Sequence, residues 1–130
     1  MILLVEDNPG DALLLETALE AAATDVTMHL VSSAESALAM LRVAPRAYRL
    51  VVVDLRLAAV DGWAVLAAIA NEPWLQGLRS AVLTSSSRDD DRARARSFGI
   101  AGYFVKPTSV DAYPALVDAL VNLHRGAVDG

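Results

Sequence analysis

Residues Leu50 to Asp54, LVVVD, place a carboxylate directly after four apolar residues. A short apolar run of this kind is typical of a buried parallel strand. Similar runs cover Ile2–Val5, Val26–Val31, Ala81–Leu83 and Gly102–Val105. A stretch with helical spacing or composition follows each run, so the alternation predicts an α/β fold of the (βα)5 type. Its parallel strands are then covered on both faces by helices.

Helix starts are marked by capping patterns. Asn8-Pro9 supplies a cap and a first-turn proline for the first helix. Capping boxes predict further helix starts at Ser32, Ser86 and Thr108, and Asp61 is a predicted cap of the third helix.

Length and composition limit the class of protein. The 130 residues suit one domain, which we expect over residues 1–125, with a short tail over 126–130 and no output domain. The absence of cysteine excludes disulfides and thiolate metal sites and favours a reducing compartment, so a cytoplasmic location is expected. No apolar run is long enough to span a membrane. A net charge of −5 disfavours direct nucleic-acid binding, which depends on clustered cations.

Polar residues follow four of the five predicted strands, and ligands of open parallel sheets bind at this carboxyl edge. Glu6 and Asp7 follow the first strand, Asp54 the third, Thr84 the fourth and Lys106 the fifth. Each residue alone is as readily explained as a cap or a solvated side chain. With strand order 2-1-3-4-5 they would lie side by side, and this joint placement predicts a site.

The charges at this edge require a cation. Two carboxylates about 5 Å apart repel by roughly 3 kcal/mol at an effective dielectric constant of about 20. Lys106 supplies one positive charge for three acids. Because the donors are all oxygens, a hard divalent ion is favoured, and Mg²⁺ is the expected cofactor.

Four segments resemble the receiver domain of two-component response regulators: LLVEDN (3–8), VVVDLRLAAVDG (51–62), AVLTS (81–85) and GYFVKP (102–107). The resemblance extends from Ile2 to about Leu123, and the stretches at residues 8–11 and 84–86 are also similar to stand-alone, single-domain receivers. It implies a flavodoxin-like or CheY-like sheet of order 2-1-3-4-5.

The resemblance also implies a role for each site residue. Asp54 would accept a phosphoryl group from the phosphohistidine of a sensor histidine kinase or a phosphotransfer protein. Lys106 would pair with the phosphoryl group and Thr84 would hydrogen-bond it. Glu6, Asp7, Asp54 and the backbone carbonyl of Arg56 would hold Mg²⁺.

Further residues are implied to control the signal. Tyr103 would change rotamer together with Thr84 and alter the face of helix 4, strand 5 and helix 5, where an unknown effector protein binds. Arg56 and Ser86 would tune the lifetime of the acyl phosphate, and the Lys106-Pro107 peptide would be cis. Ala58 stands where most receivers have proline. The resemblance allows a homodimer, with Leu123 extending its surface.

Two alternatives remain open. One is a receiver-like interaction module that works without phosphorylation. The other is a metal-dependent phosphohydrolase with an aspartyl-phosphate intermediate, although that class of enzyme has a second acid where Arg56 stands. The leading interpretation is a signalling switch that assists its own phosphorylation and dephosphorylation and is not an enzyme acting on metabolites.

Overall fold

The computed structural model describes residues 1–57 and 62–126. The strands are β1 (Ile2–Val5), β2 (Met28–Val31), β3 (Leu50–Val53), β4 (Arg79–Thr84) and β5 (Gly102–Val105). The helices are α1 (Pro9–Ala21), α2 (Ala34–Val43), α3 (Gly62–Asn71), α4 (Asp89–Arg96) and α5 (Tyr113–Arg125). Single 3₁₀ turns lie at Pro73–Leu75 and Val110–Ala112. The predicted (βα)5 order is confirmed.

The strands form one parallel sheet in the order β2-β1-β3-β4-β5. The order expected from the resemblance is therefore confirmed. Val53 on the central strand β3 pairs with Val5 on β1 and with Val82 on β4. Because these strands run in register, Glu6 and Asp54 follow paired residues and leave the sheet at the same level.

Helices cover both faces of the sheet. Val51 and Val53 pack with α2, α3 and α4 in one apolar layer. Leu50 and Val52 pack with α1 and α5 in the other layer. All four residues of β3 are fully buried, so burial on both faces fixes the strand that ends at Asp54.

Several predicted boundaries are corrected by the structure. Strand β2 begins at Met28, two residues later than predicted, and β4 begins at Arg79 and ends at Thr84. Ser33 caps α2 in place of Ser32, because the hydroxyl of Ser33 accepts a hydrogen bond from the Ser36 amide.

The last two predicted caps are also shifted. Helix α4 begins after Arg88 without a side-chain cap, and Ser86 lies two residues before Arg88, where its hydroxyl oxygen accepts from the Arg88 amide at 3.3 Å. Ser109, one residue after Thr108, caps the 3₁₀ turn that precedes α5. The predicted cap Asp61 lies outside the described residues.

Leu123 is 1% exposed and belongs to the α1 and α5 layer. The expectation that it extends an exposed surface is therefore wrong. Among the helices described, none is both long and apolar enough to cross a bilayer.

Candidate functional site

The amine of Lys106 lies among three carboxylates at the carboxyl edge of the sheet. Its Nζ is 2.5 Å from Glu6 Oε1, 2.7 Å from Asp11 Oδ2 and 2.9 Å from Asp54 Oδ2. The side chain is 10% exposed, and Lys106 is the only lysine in the chain. A compact ammonium has three hydrogens to donate, so it can serve three acceptors at once.

The backbone holds Asp54 in a defined orientation. Its amide donates to the Val5 carbonyl at 3.1 Å, which continues the pairing of β1 and β3 beyond the last strand residue. The Arg56 amide donates to Asp54 Oδ1 at 3.1 Å, while Lys106 donates to Oδ2. Both oxygens of the carboxylate therefore have fixed donors, and the side chain is buried.

Gly62 allows the start of α3 to approach the backbone of Asp54. A Cβ at this position would lie 2.1 Å from the Asp54 carbonyl oxygen, far inside van der Waals contact. The Gly62 amide also donates to the Leu55 carbonyl at 3.2 Å. Any side chain at this position would have to displace the backbone that carries Asp54.

The site holds more negative than positive charge. Burial raises the pKa of Glu6 to about 7, the nearby Asp54 charge adds to the rise, and Lys106 opposes it. Burial of Lys106 disfavours its charge, but the hydrogen bonds that its amine donates to Asp11, Glu6 and Asp54 outweigh burial and raise its pKa. Lys106 is therefore charged, and the acids around it hold more charge than one lysine can balance.

The acids fit a hard divalent cation. Glu6, Asp7 and Asp54 each offer an oxygen within 4.8 Å of the others, and Asp7 is the most exposed of the three. Carboxylate oxygens without histidine or cysteine suit Mg²⁺ or Mn²⁺, which also keep water ligands on an open side. The predicted acid cluster is thus assembled by the fold, and its donors fit such an ion.

Thr84 and Tyr103 lie beside this cluster on β4 and β5. Thr84 is fully buried, and its Oγ1 accepts a hydrogen bond from the Ser86 amide at 3.4 Å. The hydroxyl of Tyr103, which is also buried, donates to the Ser86 carbonyl at 2.9 Å, and the Arg92 guanidinium lies 4.7 Å from the Tyr103 ring centre. Tyr103 is thus packed inward and joined to the loop that follows Thr84.

The predicted lifetime-tuning residues differ in their surroundings. The Ser86 hydroxyl donates to Asp91 Oδ2 at 2.5 Å, so the first turn of α4 holds it. The Arg56 side chain is exposed. Ala58 lies outside the described residues.

One prediction is wrong and one residue was missed. The peptide bond between Lys106 and Pro107 is trans, the form that an X-Pro bond prefers by about 0.5–1 kcal/mol, and Lys106 reaches the acids from it. Asp11 was not predicted, because an acid in the first turn of a helix is already explained by the helix dipole. Its only signal in the sequence is that it lies four residues after Asp7.

A family model described as the response regulator receiver domain matches residues 2–118. The chain belongs to this family. A probable methanogenesis regulatory protein, FilR2 of Methanothrix harundinacea, is 35% identical over 124 residues, covering 92% of this chain and 80% of that protein. The response regulator Rcp1 of Synechocystis sp. is 31% identical over 112 residues, covering 82% of this chain and 76% of Rcp1.

Solved receiver structures share the fold. The Mn²⁺-bound form of Rcp1 has a TM-score of 0.83 at 27% identity, covering 98% of this chain and 96% of that one. The phosphorylated cyanobacterial phytochrome response regulator RcpA has a TM-score of 0.85 at 27% identity, covering 99% and 97%. This receiver is a signalling module with a CheY-like fold and is not a classical enzyme.

Proposed function

We propose that this receiver accepts a phosphoryl group on Asp54 from the phosphohistidine of a sensor histidine kinase or a phosphotransfer protein. The observation that carries the proposal is the buried Asp54 carboxylate, fixed between Lys106 and the acids Glu6 and Asp7. The relatives support it, since RcpA has been solved in a phosphorylated form and Rcp1 with Mn²⁺.

In the proposed reaction, a carboxylate oxygen of Asp54 forms a bond to phosphorus while the P–N bond of the donor breaks. The electron pair of the broken bond stays with the imidazole nitrogen, and an acyl phosphate remains on Asp54. The chain contributes mainly by positioning and by charge, as in other phosphoryl transfers. The backbone contacts of Asp54 prevent the carboxylate from turning away from the incoming phosphorus.

Glu6, Asp7, Asp54 and the backbone carbonyl of Arg56 are the proposed holders of Mg²⁺. When bound, the ion would neutralise charge on the phosphoryl oxygens and reduce the repulsion among the acids.

Lys106 and Thr84 are proposed to hold the phosphoryl group once it has been transferred. Lys106 would exchange its contact with Asp54 for a phosphoryl oxygen, while Glu6 and Asp11 keep its amine within reach. The Thr84 oxygen accepts from an amide, which leaves the hydroxyl hydrogen to donate to the phosphoryl group.

The proposed output runs through Tyr103. A shift of Thr84 toward the phosphoryl group would change the loop at Ser86, to which the Tyr103 hydroxyl is bonded. Phosphorylation would then bias two arrangements of the face formed by α4, β5 and α5, where an effector protein or a second copy of the chain would bind. Val105 gives β5 an exposed apolar side chain at this face, and Val110 gives another in the 3₁₀ turn before α5.

Neither alternative gains support from the geometry. An interaction module that is never phosphorylated has no need for the buried and fully bonded Asp54. A phosphohydrolase would need a second acid where the exposed Arg56 stands.

Mass spectrometry after incubation with Mg²⁺ and acetyl phosphate tests the proposal. We expect one phosphoryl adduct on Asp54, lost when the metal is chelated and absent in Asp54→Asn. Asp118→Asn, a matched change at an exposed position on α5, should keep the adduct. A wild-type chain without an adduct on Asp54 would overturn the proposal, and rapid turnover of varied phosphoesters would favour the phosphohydrolase.

A further inference from the structure

The amino edge of the sheet, opposite Asp54, carries an open concavity of about 580 Å³. We call it the amino-edge pocket. The side chains that matter here are those of Arg46, Tyr48, Arg49, Trp74, Arg79 and His124. None of the described residues that line it is acidic. Its volume lies within the usual range for small-molecule sites, about 300–1,000 Å³.

The sheet brings two of the arginines together. Arg49 directly precedes β3 and Arg79 begins β4, and the Arg79 amide donates to the Arg49 carbonyl at 3.4 Å. The guanidinium of Arg79 is anchored by a hydrogen bond from Nη1 to the Leu123 carbonyl at 3.0 Å. Arg46 joins them from the segment between α2 and β3. Three positive charges thus converge on one pocket from positions far apart in the sequence.

Among the described residues, no carboxylate forms an ion pair with these three arginines. The ion pairs that arginines form in the described part of the chain are Arg88 with Asp90 and Arg125 with Asp25, and both lie outside the pocket. Both ring nitrogens of His124 are buried without a hydrogen-bond partner in the described structure. Burial lowers the pKa of His124, and the amino terminus, Arg49 and Arg125 lower it further. The pocket is therefore a local positive region in a chain whose net charge is −5.

An aromatic side chain lies on the same pocket. Trp74 is 40% exposed in the 3₁₀ turn Pro73–Leu75, and its Nε1 donates to Glu72 Oε2 at 3.3 Å. A large exposed indole held in this way offers a flat apolar face to a planar ring. The pocket therefore combines groups that bind anions with a surface on which a ring can stack.

We propose that the amino-edge pocket binds a small phosphorylated ligand of nucleotide size, with its phosphates on Arg46, Arg49 and Arg79 and its ring against Trp74. Guanidinium groups bind phosphate oxygens in pairs, which suits a compact anion with several charges. A long polyanion is disfavoured, because outside the pocket the chain carries the excess of acids that gives it a net charge of −5. The site lies opposite Asp54 and does not depend on phosphorylation.

Calorimetric titration of the full chain in EDTA with ADP, pyrophosphate and adenosine tests the proposal. EDTA keeps metal from linking the ligand to the acids around Asp54. We expect saturable binding of ADP, weaker binding of pyrophosphate and none of adenosine. The double variant Arg46→Gln/Arg49→Gln should weaken ADP binding by about tenfold or more, since charged hydrogen bonds are lost. Both arginines are exposed, so the fold should survive, which circular dichroism would check.

Matched variants sharpen the test. Arg88→Gln/Arg96→Gln makes the same charge change at exposed positions elsewhere and should leave ADP binding unchanged. Trp74→Ala should reduce ADP binding to the level of pyrophosphate without altering pyrophosphate binding. Amide shifts in NMR spectra should appear at residues 49 and 76–78.

Several outcomes would overturn the proposal. These are the absence of saturable ADP binding, an equal loss of binding in Arg88→Gln/Arg96→Gln, or amide shifts centred on Asp54. Tighter binding of a glutamate-rich peptide or of single-stranded DNA than of ADP would assign the pocket to a macromolecule instead.

Discussion

The two edges of the sheet differ in the sign of their excess charge and in the basic side chain that they contain. The carboxyl edge has an excess of acids around a lysine, and the amino edge has an excess of arginines. At the carboxyl edge one lysine lies among Glu6, Asp11 and Asp54, with Asp7 nearby. At the amino edge three of the ten arginines line one pocket without a described acid. The net charge of −5 is a sum over both edges, so it does not indicate what either edge can bind.

The choice of cation follows from the space available. A buried centre surrounded by carboxylates suits the compact ammonium of Lys106, while an open pocket leaves room for planar guanidinium groups. The two edges also differ in how much of the fold depends on them. Lys106 is buried against its partners, whereas Arg46 and Arg49 are exposed.

The largest effect on stability is expected from Lys106→Met. The change leaves buried carboxylates without their cation, which typically costs about 3–5 kcal/mol of unfolding free energy. Urea unfolding at pH 8 in EDTA measures the loss of stability. In a second series with Mg²⁺ in place of EDTA, part of the loss should be restored, because Mg²⁺ binds the acids only in the folded state. Arg88→Met, at an exposed ion pair, should change little. Equal stability of Lys106→Met and the wild type would show that the acids do not need Lys106.

Gly62→Ala should have the next largest effect. The added methyl would meet the Asp54 carbonyl at 2.1 Å, and relief of this overlap should cost about 1–3 kcal/mol. Gly10→Ala is the matched control, since its Cβ would approach only the Asn8 side chain, at 3.3 Å. Urea unfolding of both variants compares them, and a Gly62→Ala protein as stable as Gly10→Ala would contradict the close approach.

The third prediction concerns the rate at which the acyl phosphate on Asp54 hydrolyses in Arg56→Asn. It rests on the proposed phosphorylation of Asp54. If the long exposed side chain of Arg56 lies over the phosphoryl group, it impedes water. The acyl phosphate of the variant should then hydrolyse several-fold faster than that of the wild type. The increase should stay below about tenfold, which corresponds to about 1.4 kcal/mol of activation free energy. Arg42→Asn, at the exposed end of α2, should leave the lifetime unchanged. The hypothesis is dropped if the lifetime in Arg56→Asn equals that of the wild type.

The smallest effect is expected from His124 at the amino edge. Its pKa is lowered from 6.5, chiefly by burial, so the unfolded chain binds more protons just below pH 6.5. The contribution of His124 to stability is therefore full above pH 6.5 and is lost as the pH falls through the folded pKa. Urea midpoints between pH 7.5 and 5.5 should fall less steeply in His124→Gln, and parallel slopes would show that His124 does not contribute.

The sequence predicts those strand ends at which an apolar residue is followed directly by a polar one. Strands β1, β3 and β5 have their predicted bounds, because each apolar run stops at a polar residue, which is Glu6, Asp54 or Lys106. The prediction for β4 is too short at the amino end of the strand, because Arg79 and Ser80 are polar residues within it. Ser32 and Ser33 satisfy the same capping pattern, and only the backbone geometry selects Ser33.

The functional residues also differ in whether a local sequence pattern predicts them. The five carboxyl-edge residues could be predicted because each lies at the end of a strand or within two residues after it, and parallel strands end together. Asp11 reaches Lys106 across 95 positions of sequence, which no local pattern reveals. Arg46 and Arg49 lie before β3 and Arg79 begins β4, and no local pattern of residues predicts a ligand at these positions. The division into residues 1–125 and 126–130, and the roles assigned to individual site residues, stay predictions.

The solitary Lys106 has a practical consequence for spectroscopy. Isotopic labelling of lysine alone would give one side-chain signal, and that signal would come from the centre of the carboxyl edge. Amine-selective reagents would likewise meet a single side-chain target, shielded by its acidic neighbours. The chain thus carries its own reporter, whose chemical shift and reactivity follow the occupancy of the site without an added probe.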